Sequence, residues 1–194
     1  GNFVAWDYGY NLLNSCEPNA IIFTNGDNDT FPLWYLQEVE NIRRDIRVVN
    51  LSLLNTPWYI EQLINDDPKL NITFDSSKLH DDIYNIESDY LISTNEGYKL
   101  CSKEFQGVIP WEVIDCKLHI DKAVTFDFKA PSYHNQVLRI QDYMILEIIQ
   151  DLYNEKPIYF AATVSGNNQL GLTNYLQMEG MTYRLVPQRL PENY

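Results

Sequence analysis

Two carboxylates spaced two apart, Asp27 and Asp29, lie in the polar run Asn25-Gly26-Asp27-Asn28-Asp29-Thr30-Phe31-Pro32, directly after the apolar segment Ala20-Ile21-Ile22-Phe23-Thr24. A β-branched run that ends in Gly, Asn and Asp and continues as Pro32-Leu33-Trp34-Tyr35-Leu36-Gln37 reads as strand, tight loop and helix. In α/β folds the carboxyl ends of the strands carry the binding crevice, and a loop entering a helix offers free backbone N–H groups there. The side chains of Asn25, Asp27, Asn28, Asp29 and Thr30 add oxygen ligands and hydrogen-bonding groups at that place, with Trp34 close behind as an aromatic surface on which a sugar ring can stack.

Three readings of this loop stand side by side. An Asp-x-Asp at a strand end can hold Ca²⁺ or Mn²⁺ against the diphosphate of a nucleotide sugar, which would make Asp27 and Asp29 the metal ligands of a self-sufficient glycosyltransferase. A phosphatase of the haloacid dehalogenase type places a spacer between the second Asp and the Thr, and here Thr30 follows Asp29 directly, so that reading fails. In the third, Asn25, Asp27 and Asp29 shape a turn and cap the following helix, and the chain is a non-catalytic interaction domain.

The elements that must position this loop follow from periodicity. Val4, Tyr8, Leu12 and Leu13 recur at helical spacing over Phe3 to Leu13, and Pro18 stops that helix. The strand over 20–24, a helix over 31–40 and the apolar run Ile46 to Leu54 form a βαβ unit. Thr56 precedes a helix with Pro57 at its first position, running to about Asn65; Trp58, with Ile60 and Leu63, is assigned to its core face. From 66 to 131 the pattern changes to short alternating segments such as Tyr90–Ser93, Tyr98–Cys101 and Lys117–Ile120, with a hairpin tip at Asn95-Glu96-Gly97, so a β-rich insertion is expected. Val137, Ile140, Met144, Ile148, Ile149 and Leu152 place a stripe on one long helix. Strands over 158–162 and 182–186 complete a single α/β domain spanning 1–194, expected as three layers with a mainly parallel sheet and helices on both faces.

The 194 residues carry a net charge of −13, with 14 basic residues scattered and Arg43-Arg44 the only adjacent arginines, which argues against a nucleic-acid partner. No apolar run approaches the roughly 20 residues of a membrane span. The chain opens at Gly1 inside an amphipathic pattern, so a fragment of a longer protein is expected. Cys16, Cys101 and Cys116 show no metal spacing; Cys101 and Cys116 can meet across a hairpin, and buried free thiols are the simpler reading. His80, beside Asp81-Asp82, reads as part of a solvated turn, His119 as one face of a strand and His134 as near a helix start. No Ser or Cys stands near a His in an elbow-like sequence, which leaves a hydrolytic triad without support.

The runs 17–37, 45–56, 156–161 and 175–187 resemble the soluble C-terminal part of a bacterial multi-pass membrane family described as protein O-mannosyltransferase-like, with a glycosyltransferase-C type membrane half. The resemblance implies a membrane glycosyltransferase that takes sugar from a polyprenyl-phosphate donor, with its catalytic acid in the membrane half. This chain is then an extracytoplasmic (periplasmic) accessory domain that binds acceptor protein or lipid-linked sugar beside that membrane half. A second similarity lies in Trp6-Asp7-Tyr8-Gly9-Tyr10, which looks like the Trp-Trp-Asp-Tyr-Gly motif of oligosaccharyltransferase catalytic subunits, with Ala5 in place of the first Trp. It implies acceptor-binding roles for Asp7 and Tyr8 if the opening helix packs beside the loop. Asn55 and Glu179, at predicted element ends, are secondary candidates.

Overall fold

The computed structural model describes residues 3–73, 109–110, 116–128, 137–138 and 140–191. Its centre is a five-stranded sheet in the order β2-β1-β7-β9-β8, formed by β1 (Ile21–Thr24), β2 (Arg47–Asn50), β7 (Ile158–Ala161), β8 (Leu176–Glu179) and β9 (Thr182–Leu185). β1 pairs in parallel with β2 and β7, and β9 pairs antiparallel with β7 and β8. The sheet is therefore mixed rather than mainly parallel. The expectation went astray because β8 lies in Leu176-Gln177-Met178-Glu179, too polar outward to stand out as a strand. A two-residue turn joins β8 to β9, and Gly180 takes the left-handed conformation (φ 59°) that the tight reversal needs.

All four residues of β1 are buried, as an unbroken apolar run flanked by two parallel neighbours requires. Four α-helices accompany the sheet among the described residues: α1 (Val4–Asn14), α2 (Asp27–Glu38), α3 (Pro57–Asn65) and α4 (Ile140–Leu152). α2 begins four residues earlier than the sequence reading placed it. Acidic side chains in a first turn oppose the positive end of the helix dipole favourably, so Asp27-Asn28-Asp29-Thr30 is helix rather than loop. Its buried stripe runs through Asp29, Thr30, Leu33, Leu36 and Gln37. α3 carries its core on Tyr59, Ile60 and Leu63, while Trp58 points outward at 56% exposure, against the core assignment. α4 is buried almost all round, packed against a short 3₁₀ turn (Leu53–Asn55) and against the strand Cys116–His119.

Within the expected insertion lie a hairpin, β4 (Cys116–His119) with β5 (Thr125–Phe128), and β3 (Ile109–Pro110), which pairs with β6 (Val137–Leu138) beyond it; Val137, expected on the long helix, is thus a strand residue. Phe126 meets Tyr153 and Tyr175 edge-on at 5.1 Å, which seats the hairpin on the domain. His119 is on an exposed face and its Nδ1 lies 3.0 Å from the Thr125 hydroxyl. The segments 90–93 and 98–101, the turn 95–97, His80, His134 and the proposed Cys101 contact lie outside the described residues. Cys16 is a buried free thiol whose pKa burial pushes up to about 12, which makes it unreactive at neutral pH.

α1 matters most for the site, because it rests directly on α2. The carbonyl of Leu13 near its end, and those of Cys16 and Glu17 just beyond it, accept hydrogen bonds from the guanidinium of Arg43, which also grips Asp45. The two helices touch at Gly9, where an added Cβ would meet Leu36 Cδ1 at 3.0 Å and the backbone carbon of Pro32 at 3.2 Å. Pro32 cannot yield, so a branched side chain must force the helices apart. Gly9→Val is expected to cost about 1–3 kcal/mol in urea denaturation, the range of overpacked cores; a change within error would mean the contact is loose.

Candidate functional site

β1 feeds α2 and then β2 on one side, whereas β7 lies on the other side of β1, so the chain connections diverge at the carboxyl ends of β1 and β7. Such a switch point is where open α/β sheets form their crevice. The predicted loop lies there. Asp29 is buried, and its carboxylate accepts hydrogen bonds from the backbone N–H of Asn25 (2.7 Å) and of Gly26 (2.9 Å) and from the Thr163 hydroxyl. The bond from Gly26 is the acid's half of a capping box, with glycine at the cap position. The third crosses from α2 to the segment after β7 and closes the crevice.

Thr30 is buried beneath it with full accounting. Its hydroxyl donates to Gly26 O, and its oxygen accepts from the Thr24 hydroxyl (2.6 Å) and from Asn50 Nδ2 (3.1 Å). Above runs a chain of amides: Asn55 Nδ2 donates to Gln141 Oε1 at 2.9 Å, Gln141 Nε2 to Asn168 Oδ1 at 3.5 Å, and Asn168 Nδ2 to Asn25 Oδ1 at 3.0 Å. Asn55 thus lies in this network. Glu179 does not; it accepts from Tyr159 and sits by Arg184 in a separate network with Glu17.

Tyr8 reaches the cluster from α1. Its hydroxyl is buried beside Thr163 and Asp29, close enough for both to act on its ionisation, yet it makes no hydrogen bond of ordinary geometry. Burial raises its pKa, the Asp29 charge adds to that, and the Thr163 hydroxyl works against it. Asp7 is exposed on α1 and enters none of these bonds, and Asp27 and Asn28 are likewise exposed on the outer side of the first turn of α2. Trp34 stands away from the acidic turn, between Phe31 (5.8 Å) and Tyr59 (6.3 Å). Thr163 and Asn168 were not visible as site residues in the sequence, since single polar residues after a strand carry no spacing signal.

This geometry bears on the metal reading. Ca²⁺ takes six to eight oxygens, but Asp29 spends its carboxylate on three hydrogen-bond donors while Asp27 faces solvent. Among the described residues no group of three or more His, Cys, Asp or Glu side chains could hold a metal ion. The donor set does not fit Ca²⁺ or Mn²⁺.

The fold and the site together define a mixed α/β structure with a hydrogen-bonded polar network at its strand ends. The chain belongs to the TMEM260-associated domain 2 family, whose model matches residues 5–116 and 113–194, and the family ties it to membrane proteins. No curated protein and no solved structure shows significant similarity to it. Among the described residues no helix is long and apolar enough to cross a membrane.

Asp27 and Asp29 should therefore part company. Asp29→Asn puts an amide donor against a backbone N–H and is expected to cost about 1.5–3 kcal/mol, the scale of hydrogen bonds to a charged group. Asp27→Asn should stay within about 0.5 kcal/mol. Urea denaturation of both variants checks this; equal losses would remove Asp29 from its structural role.

Proposed function

We propose that this chain is the extracytoplasmic, acceptor-binding accessory domain of a membrane glycosyltransferase that draws sugar from a polyprenyl-phosphate carrier. The transfer chemistry belongs to the membrane half of the same parent protein, which is its first partner, with the acceptor protein or the lipid-linked sugar as the second. A C-terminal place in a bacterial parent and a periplasmic address are part of this proposal. Membership in the TMEM260-associated family supports it, because TMEM260 is described as O-mannosyltransferase-like.

The observation that carries the reading is the engagement of Asp29. A nucleotide-sugar enzyme needs both acids of its Asp-x-Asp on a metal, and here one is consumed by Asn25, Gly26 and Thr163. Asp27 and Asp29 also supply the negative charge that the start of α2 attracts, so a diphosphate would meet repulsion there. What the strand ends offer is a rim of neutral amides and hydroxyls, suited to a polypeptide or glycan acceptor.

We also infer the three-layer arrangement within one domain, with 66–131 as an insertion. Parallel crossovers are right-handed, so α2, leading from β1 to β2, and α4, leading to β7 on the opposite side of β1, fall on opposite faces.

The test uses the full-length parent in membranes. Transfer of labelled sugar from a polyprenyl-phosphate donor to acceptor protein is expected, and deletion of this domain should lower it by at least about tenfold. The 194-residue chain alone should transfer nothing from UDP- or GDP-sugars, and neither these nor Ca²⁺ or Mn²⁺ should move its Tm by more than about 1 °C. Metal-dependent transfer by the chain alone would overturn the proposal.

A further inference from the structure

β2 is an edge of the sheet, and a side chain closes part of that edge. The hydroxyl of Tyr59 accepts from Asn50 N–H at 2.9 Å and donates to the carbonyl of Val48 at 3.3 Å, so the ring is buried and fixed. Trp58 meets it edge-on at 5.6 Å and Trp34 lies tilted at 6.3 Å. The three rings form one wall of a pocket of about 850 Å³ between α2 and α3, whose other walls include Arg47, Gln62, Glu38 and Asp66. This pocket is apart from the strand-end cluster.

Two side chains shape this wall. Trp58 leaves 56% of its surface in water although its neighbour Tyr59 holds the core position. Arg47 has its guanidinium oriented by two carbonyls, Gln62 O at 2.9 Å and Asp67 O at 3.3 Å, but its Nε–H is buried without an acceptor.

The chemistry of the walls selects the ligand. Glu38, Asp66 and Asp67 outweigh Arg44 and Arg47 by one charge, on a chain of net charge −13, so a phosphorylated or otherwise anionic ligand is repelled. A purely apolar ligand would displace water from the Glu38, Asp66 and Arg47 side chains without offering them hydrogen-bond partners. A neutral polyhydroxylated ring meets both demands, laying its C–H face on an indole and turning its hydroxyls to the polar walls. We propose that the pocket between α2 and α3 binds a neutral saccharide, with Trp58 as the stacking surface and Arg47, Gln62 and Asp66 as the polar contacts. This holds whether or not the parent performs glycosyl transfer.

The test is an NMR titration of the 194-residue chain, following the indole N–H signals, with methyl glycosides of glucose, galactose, mannose and N-acetylglucosamine, their disaccharides, and glucose 6-phosphate. At least one neutral sugar should shift the Trp58 and Trp34 signals saturably, with glucose 6-phosphate weaker than methyl glucoside. Trp58→Ala, at an exposed position, should keep the thermal transition and weaken binding by about tenfold or more, and Arg47→Lys should weaken it about threefold or more. No saturable shift with any sugar, unchanged binding in Trp58→Ala, or tighter binding of glucose 6-phosphate would overturn the proposal. Each of those results leaves the transfer assay of the parent protein unaffected, so the two readings fail separately.

Discussion

Helix α2 starts only two residues after β1 ends, so the chain reverses within Asn25 and Gly26 and turns two backbone N–H groups toward the end of a buried strand. Asp29, three residues into the turn, meets both with one carboxylate and has an oxygen left for Thr163. A buried carboxylate without such donors would be expensive, and three charge-assisted bonds together with the helix dipole offset that desolvation. Thr30, Thr24 and Asn50 lie beneath this arrangement and can complete their bonds only if the turn holds its shape. The crevice at the switch point, the seating of α2 and the place of Tyr8 all follow from it.

Much of this was legible in the residues. The polar run after Ile21-Ile22-Phe23-Thr24 marked the strand end, and Pro57 marked the start of α3, because apolar runs and helix-start residues act locally. Asp27 and Asp29 looked equivalent, since a spacing of two does not reveal which acid sits three residues past the cap. Only the true helix start decides that, and the sequence reading placed it four residues late. Trp58 and Tyr59 were confused for a related reason. Adjacent aromatics at a helix start lie about 100° apart, and which one faces the sheet depends on how the edge of β2 is closed. Thr163 and Asn168 were invisible, because their partners lie 134 and 143 residues away and no local pattern encodes such pairings.

The two sides of α2 serve different ends. Its buried stripe, Asp29, Thr30, Leu33, Leu36 and Gln37, is committed to the sheet and to the loop before β2, where Gln37 Nε2 donates to the carbonyls of Arg43 and Ile46 at 2.8 Å each. Its outer side, with Phe31 and Tyr35 about half exposed, meets Phe3 and Trp6 of α1 in a shallow groove. Isolated exposed aromatics are ordinary on a protein surface, but here they continue from one helix to the next. Nothing on the sheet side requires large rings outside, since the stripe already fills the core.

A domain built this way keeps rigid polar bonds at the strand ends and leaves aromatic surface along the helices. Each oxygen of Asp29 accepts from a donor, so this one carboxylate ties Asn25, Gly26 and Thr163 into a single unit. The carboxylate that looks most reactive in the sequence is thus the one the fold holds most fully, and the tryptophan assigned to the core is the one that stands largely in solvent.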